Sequence, residues 1–369
     1  MNKNMKELAF LFFKLGSIAF GGPAAHIAMM EDEVVKKRKW MTQQHFLDLV
    51  GATNLIPGPN STEMTMHCGH IRAGWKGLVV AGISFILPAV TITMLFAWLY
   101  QEYGQLPEIE PFIYGIKPAV IAIIIIAVYR LGKKALKSVE LGVLGALTLT
   151  ASLLGVNEII ALFAAGLLGL IWYLIRNPQE NLNSFTPVVL LQVALAPGTL
   201  KIFWIFIKIG ALLYGSGYVL FAFLDAELVT PGLLSRQELI DAVAVGQFTP
   251  GPVLSTATFI GWQLDGFWGA MAATAGIFMP SFFFVALLHP LIPKMRKSKV
   301  LAAFLDAINI ASVAVIAAVC VEMGKDTLTD WRTMLIALLS IVALFTFRKI
   351  NSAFVVIGGA LAGYLLTWI

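Results

Sequence analysis

Charge is what this sequence has least of. Only 13% of its 369 residues are Asp, Glu, Lys or Arg, against roughly 25% in a water-soluble globular chain. Hydrophobic residues make up 59%, and the mean hydropathy is +0.83. One aqueous core cannot hide that much apolar surface, so a soluble domain is excluded and the solvent must be lipid. Cysteine is nearly missing: Cys68 and Cys320 both lie in apolar sequence, which excludes a disulfide framework. Histidine is sparse as well. His67 and His70 share a helix face beside Cys68, but the second half has Ile260 and Gln263 in those places. The cluster therefore reads as helix packing rather than a metal site, and no cofactor is expected. Nucleotide-binding glycine loops, a nucleophile elbow and an intramembrane Asp–His pair are all missing. Those absences argue against an enzyme and against ATP-driven pumping by this chain alone.

What the chain does have is long apolar runs. Residues 77–99, 118–128 and 159–175 carry no charge, and the longer of these suit a hydrocarbon core of about 30 Å. A membrane barrel would alternate polar and apolar residues in short segments. These runs are continuous, so helices are predicted. The stretch 1–13, with Lys3 and Lys6 ahead of apolar residues, reads as a retained helix rather than a cleaved signal. The net charge of +5 is placed in loops, as the positive-inside rule demands, and no nucleic-acid partner is implied.

The chain also repeats itself, at an offset of 192–194 residues. Lys14-Leu15-Gly16 returns as Lys208-Ile209-Gly210, and Gly21 as Gly215. Gln44 and Asp48 return as Gln237 and Asp241, and Pro57-Gly58-Pro59 as Pro250-Gly251-Pro252. Gly77 and Pro88 return as Gly269 and Pro280. Such duplication is common in transporters. The division is a first repeat at 1–176, a linker at 177–200 read as membrane-associated, and a second repeat at 201–369. The loops of the two copies carry opposite charge bias. Lys36, Lys37, Arg38 and Lys39 face a counterpart, 225–234, without Lys or Arg. Arg130, Lys133, Lys134 and Lys137 face a segment, 322–331, with Lys325 alone. Because Lys and Arg mark the cytoplasmic side, the expected fold is an all-α polytopic membrane protein of two inverted-topology repeats. The linker must then cross the membrane an odd number of times.

Two apolar segments in each half are interrupted. In the first half the breaks fall at Gly21-Gly22-Pro23 and Pro57-Gly58-Pro59; in the second, at Gly215-Ser216-Gly217 and Pro250-Gly251-Pro252. Proline removes a backbone donor and clashes with the preceding turn, and it disfavours α geometry in the residue before it. Each Pro-Gly-Pro run therefore ends one helix and starts another inside the membrane. Asn60 and Ser61 in one copy, and Ser255 and Thr256 in the other, are good helix-start residues. Freed backbone groups cannot face lipid; they must be buried or line a wet cavity. A half-helix N-terminus also suits an anion. Lys14 and Lys208, each in an apolar run just before a glycine break, supply cationic charge that is costly in lipid. The predicted anion-binding set is Lys14, Gly21, Gly22, Pro57, Gly58, Pro59, Asn60, Ser61, Lys208, Gly215, Pro250, Gly251, Pro252, Ser255 and Thr256. Glu63 lies one turn into the first half-helix, either complementing its dipole or carrying a proton. Lys117 is a further intramembrane cation, with Asn309 as its counterpart.

Together, Phe20-Gly21-Gly22-Pro23, residues 34–40, Pro57-Gly58-Pro59 and residues 74–88 resemble the chromate ion transporter family. Both halves look like that family's repeated domain, so the resemblance covers nearly the whole chain, as a long, fused, two-domain member. It implies chromate efflux across the bacterial inner membrane, with sulfate as a close analogue. The second copy departs from the pattern, with Gly215-Ser216-Gly217 where the first has Gly21-Gly22-Pro23. The expected partners are a small inorganic anion, the lipid bilayer and, as an open option, a second copy in a homodimer. A transporter of another anion and an anion channel remain the alternative readings.

Overall fold

The structure is a computed structural model that describes residues 3–20, 22–104, 106–177, 198–214, 217–288, 298–347 and 350–367. Those residues are helical almost throughout and contain no strand. The first repeat runs α1 (Lys3–Ile18), α2 (Pro23–Glu31), α3 (Gln43–Thr53), α4 (Asn60–Tyr103), α5 (Glu110–Ala135), α6 (Val139–Leu153) and α7 (Glu158–Arg176). The second runs α8 (Thr199–Leu212), α9 (Val219–Leu224), α10 (Arg236–Phe248), α11 (Thr256–Leu288), α12 (Lys299–Thr327), α13 (Trp331–Thr346) and α14 (Ser352–Leu366). A wide helical turn extends α2 through Asp32–Lys37 and α9 through Asp225–Val229. The linker expected to cross the membrane falls outside the described residues over 178–197.

Matching starts show that the two copies are built the same way. Thr42 caps α3 by accepting from the His45 N–H, and Ser235 caps α10 in a reciprocal pair with Glu238. Ser138 and Asp330 cap α6 and α13; Asn157 and Asn351 cap α7 and α14. Each cap satisfies amides that a helix start leaves unpaired.

The longest helices are folded over. Ala73 (φ −150°, ψ 26°) and Gly74 (φ 60°, ψ −151°) break α4, and Asp265 and Gly266 break α11 in the same way. The positive φ at Gly74 and Gly266 favours glycine. On either side of the first break, Gly69 and Gly77 approach so closely that a Cβ on one would strike the carbonyl of the other; Gly261 and Gly269 repeat this. Each helix thus becomes a short arm folded back against a long one.

Packing between the repeats is reciprocal. Within a repeat, α1 lies along α4 and α8 along α11; between repeats, α4 meets α11. The long α5 packs on α13 and α14 of the other copy, while α12 packs on α6 and α7. Gly115 of α5 approaches the backbone of Gly359 and Gly363 of α14, the small-residue contact typical of membrane helices. Each copy therefore completes the other, and the main apolar core runs through both. Among the described residues, five helices are long and apolar enough to span a bilayer: Asn60–Tyr103, Glu110–Ala135, Glu158–Arg176, Val253–Leu287 and Lys299–Thr327. Large apolar side chains such as Phe10, Leu147, Leu168, Trp268, Phe283 and Phe354 are exposed, which fits a surface bathed in lipid rather than water.

Candidate functional site

The two Pro-Gly-Pro breaks are buried at the junction of the repeats. The Gly58 N–H donates to the Leu213 carbonyl at the end of α8, 2.7 Å away, and the Gly251 N–H donates to the Ala19 carbonyl just beyond α1, 2.9 Å away. These are corresponding bonds in opposite directions, so each break is fastened to the first broken helix of the other copy. Neither break faces lipid. The expectation that the freed glycine N–H groups would be offered to an anion needs correcting, however. Buried amides are held to the same accounting as any others, and these two are used to join the repeats.

Other predicted site residues fall into different settings. Asn60 begins α4 with Pro59 at the cap and no side-chain cap bond; its amide donates to the Asn54 side-chain oxygen at 2.7 Å. Ser61 is buried in the first turn, and its carbonyl accepts from the Thr65 hydroxyl at 3.0 Å. In the second copy a short turn, Val253–Ser255, precedes α11. The Thr256 hydroxyl donates to the Val253 carbonyl at 2.8 Å, and the Ser255 hydroxyl lies 3.5 Å from that of Thr249. Both are fully buried and turned to protein, away from any opening. Gly22 caps α2 at φ 79° with open space where a Cβ would stand. Gly21 and Gly215 lie outside the described residues.

The two lysines differ. Lys14 is exposed on α1. Lys208 is half-buried and pairs with Glu227 at 2.7 Å. At the offset of 194 that relates Lys14 to Lys208, the counterpart of Glu227 is Glu33, which pairs with Lys37 and Arg38 instead, so the pair occurs once. The structure does not bring Lys14 and Lys208 together at one polar contact.

A cavity of 420 Å³ does open beside the first break. Asn54, Ile56 and Asn60 line it from the break, Lys134 and Lys137 from the end of α5, and Asp306, Asn309 and Ser312 from α12. Lys137 and Asp306 pair across the repeats at 2.6 Å, and Lys134 is exposed. Ser312 donates to the Tyr214 carbonyl at 3.3 Å, next in sequence to the Leu213 carbonyl that holds Gly58. The cavity thus joins a basic rim, neutral hydrogen-bonding groups and a half-helix start, a combination suited to a small anion. Sequence reasoning named Asn60 and missed Lys134, Asn309 and Ser312. The only signal for Asn309 was its register with Lys117.

That register has a counterpart in the structure. Where Asn309 lines a cavity, Lys117 is drawn into a closed cluster: it lies 3.4 Å from the Asp241 carboxylate and donates to the Gln237 side-chain oxygen at 2.7 Å. The Tyr100 hydroxyl donates to the same Asp241 at 2.7 Å. The equivalent interfaces of the two repeats therefore differ: one holds this hydrogen-bonding cavity, and the other is bridged by the polar cluster beside a cavity of 360 Å³ lined by Tyr100, Ile116 and Asp241.

Glu63 is the remaining charged residue of the break. It is fully buried, and a Cβ on Gly58 would collide with its carboxyl and with the Ser281 hydroxyl of α11. Neither carboxyl oxygen meets hydrogen-bond geometry with a partner.

Comparison with known proteins bears on this arrangement. The family described as chromate transporter matches twice, at residues 6–170 and 200–364. The chain is 31% identical to a chromate transport protein of Cupriavidus metallidurans, over 97% of this chain and 92% of that protein. It is 29% identical to a probable chromate transport protein of Synechococcus elongatus, over 98% and 95% of the two chains. It is also 28% identical to a chromate transport protein of Pseudomonas aeruginosa, over 98% and 92%. No solved structure matches it.

Proposed function

Because this chain belongs to the chromate transporter family, we propose that it is a secondary transporter carrying a small tetrahedral oxyanion, chromate first, outward across the bacterial inner membrane. The observation that carries the reading is the cavity that ends at the Asn60 half-helix start. A dianion leaving water must exchange its hydration shell for fixed donors and at least one nearby cation. The side-chain amides of Asn54, Asn60 and Asn309 supply donors, and Lys134 supplies charge at the rim. The matched relatives are named as transport proteins, in keeping with a site built of hydrogen-bonding groups.

The basic loop at the end of α5 marks the cavity side as cytoplasmic by the positive-inside rule. The Lys117–Asp241–Tyr100 cluster bridges the corresponding interface of the other copy. Exchange between these two interfaces gives alternating access around a fixed site. Sulfate shares the shape and charge of chromate, so it competes at such a site. Labelled chromate in cells tests the reading. Cells making the protein should accumulate less chromate than cells without it. Equal accumulation, with the protein confirmed in the membrane, contradicts chromate efflux.

A further inference from the structure

We infer that Glu63 is the proton-carrying side chain of the transport cycle: it holds a proton while the anion is bound and loses it when the anion leaves. This rests on the anion-transport reading above and adds its co-transported ion. The carboxyl is fully buried one turn into α4, against Gly58, and its polar neighbour is the neutral Ser281 hydroxyl, which does not meet full hydrogen-bond geometry with it. No ion pair reaches it among the described residues. A bare carboxylate without partners is far more costly in an apolar interior than the neutral acid. Burial there favours the neutral acid, and ionisation must await water or a conformational change.

The fold does not need an acid there. The second copy builds the same break with Thr256 at the equivalent position, its hydroxyl closed onto the Val253 carbonyl. At that break Gly251 meets Ala89 where Gly58 meets Ser281. An expensive buried acid that the repeat replaces by a local hydroxyl is explained by function rather than architecture, and intramembrane acids mark proton relays.

The groups around it set the sign of the coupling. Just beyond the end of α8 the titratable neighbour is Tyr214, whose carbonyl accepts from cavity-lining Ser312. From α11 it is the neutral Ser281 hydroxyl. Lys14 on α1 is exposed, and His26 on α2 is bonded to the Ala19 carbonyl at 2.9 Å, so neither neutralises the carboxyl. His67 lies one turn further along α4 and is buried as well. With no lysine or arginine paired to it among the described residues, an ionised Glu63 repels a dianion at the same half-helix start. Anion and proton therefore bind together and leave together. On release the Glu63 O–H bond breaks, the electron pair stays on the carboxylate and the proton passes to water on the exit side. Nothing is oxidised or reduced.

The test uses the full chain in liposomes loaded with a pH-sensitive dye. Two quantities are read: exchange of labelled chromate at equal concentrations, which needs no net proton movement, and acidification of the lumen as chromate enters down its gradient. Wild type should show both. Glu63→Gln, a neutral mimic of the protonated acid, should keep exchange and lose acidification. Acidification that persists in Glu63→Gln overturns the inference, since the proton is then carried elsewhere, for instance as hydrogen chromate. Loss of both activities by folded Glu63→Gln overturns it too, because a neutral side chain of the same shape ought to preserve exchange. If Glu63→Gln does not fold, Glu63→Asp decides: a pH profile of acidification displaced from wild type supports the assignment, and an unchanged one refutes it. Wild type that exchanges neither chromate nor sulfate removes the transport reading itself, and this inference with it.

Discussion

Gly58 gives its backbone N–H to the Leu213 carbonyl at 2.7 Å, and 193 residues later Gly251 gives its own to Ala19 at 2.9 Å. These two bonds tie the repeats together at the points where each chain is broken. The glycines have φ of 137° and 88°, values that carry a penalty of about 1–3 kcal/mol for other residues.

Gly58→Ala should be the more damaging of two glycine changes. Its Cβ would strike the Glu63 carboxyl and Ser281 hydroxyl, in addition to the backbone strain. Gly22→Ala shares the unfavourable φ, at 79°, but meets open space. Thermal unfolding in detergent should show a clearly larger loss of Tm for Gly58→Ala. Equal losses would mean that strain alone matters and that the junction is loosely packed.

Lys14 and Lys208 should separate in their behaviour. If Lys14 contributes charge to a bound dianion, Lys14→Met removes a contact worth about 1–3 kcal/mol and weakens chromate roughly ten- to hundredfold. Lys208→Met also strands Glu227, whose side chain is 17% exposed. Adding Glu227→Gln should then restore stability without restoring chromate affinity. Recovery of affinity in the double variant, measured as chromate KM, would show that Lys208 serves only the ion pair.

Asp241 should matter more to stability than the surface acids. Its side chain is 6% exposed and holds both Lys117 and Tyr100. Breaking a buried pair leaves the partner uncompensated, at a cost of about 3–5 kcal/mol in fully buried cases, less here because Lys117 is 20% exposed. Asp241→Asn should lower Tm markedly, whereas Asp32→Asn, whose pair with Lys37 is solvent-exposed, should change it little. Comparable Tm values for the two variants would show that the cluster is not a structural bridge.

Opposite orientation of the repeats predicts opposite labelling. In a background lacking Cys68 and Cys320, both buried, single cysteines at exposed Ser138 and Thr329 should react with impermeant reagent from different sides of the membrane. Reaction from the same side excludes inversion.

Much of the fold was legible because it rests on local rules. Proline and glycine set the breaks at Pro57-Gly58-Pro59 and Pro250-Gly251-Pro252, and the helix starts at Asn60 and near Ser255 follow from them. The fold-back at Ala73-Gly74 was not foreseen, since one positive-φ glycine inside apolar sequence looks like any other. The site was less legible because its key relations join residues far apart in the chain. Asp241 with Tyr100 and Lys117, and Glu63 with Ser281, depend on which helices the repeats exchange. The fate of the glycine N–H groups was hidden for the same reason: their acceptors, Leu213 and Ala19, belong to the opposite copy. Repeat register offered the one usable hint, pairing Lys117 with Asn309 and Glu63 with Thr256.

Counterflow tests the central claim most directly. Liposomes containing the purified chain and loaded with unlabelled chromate should transiently concentrate external labelled chromate above the internal equilibrium level. Sulfate should compete and chloride should not, because the proposed site is shaped for a tetrahedral dianion. Chromate entry that equilibrates without such an overshoot, and that chloride reduces as well as sulfate does, would contradict a carrier with an alternating oxyanion site and point to an anion channel.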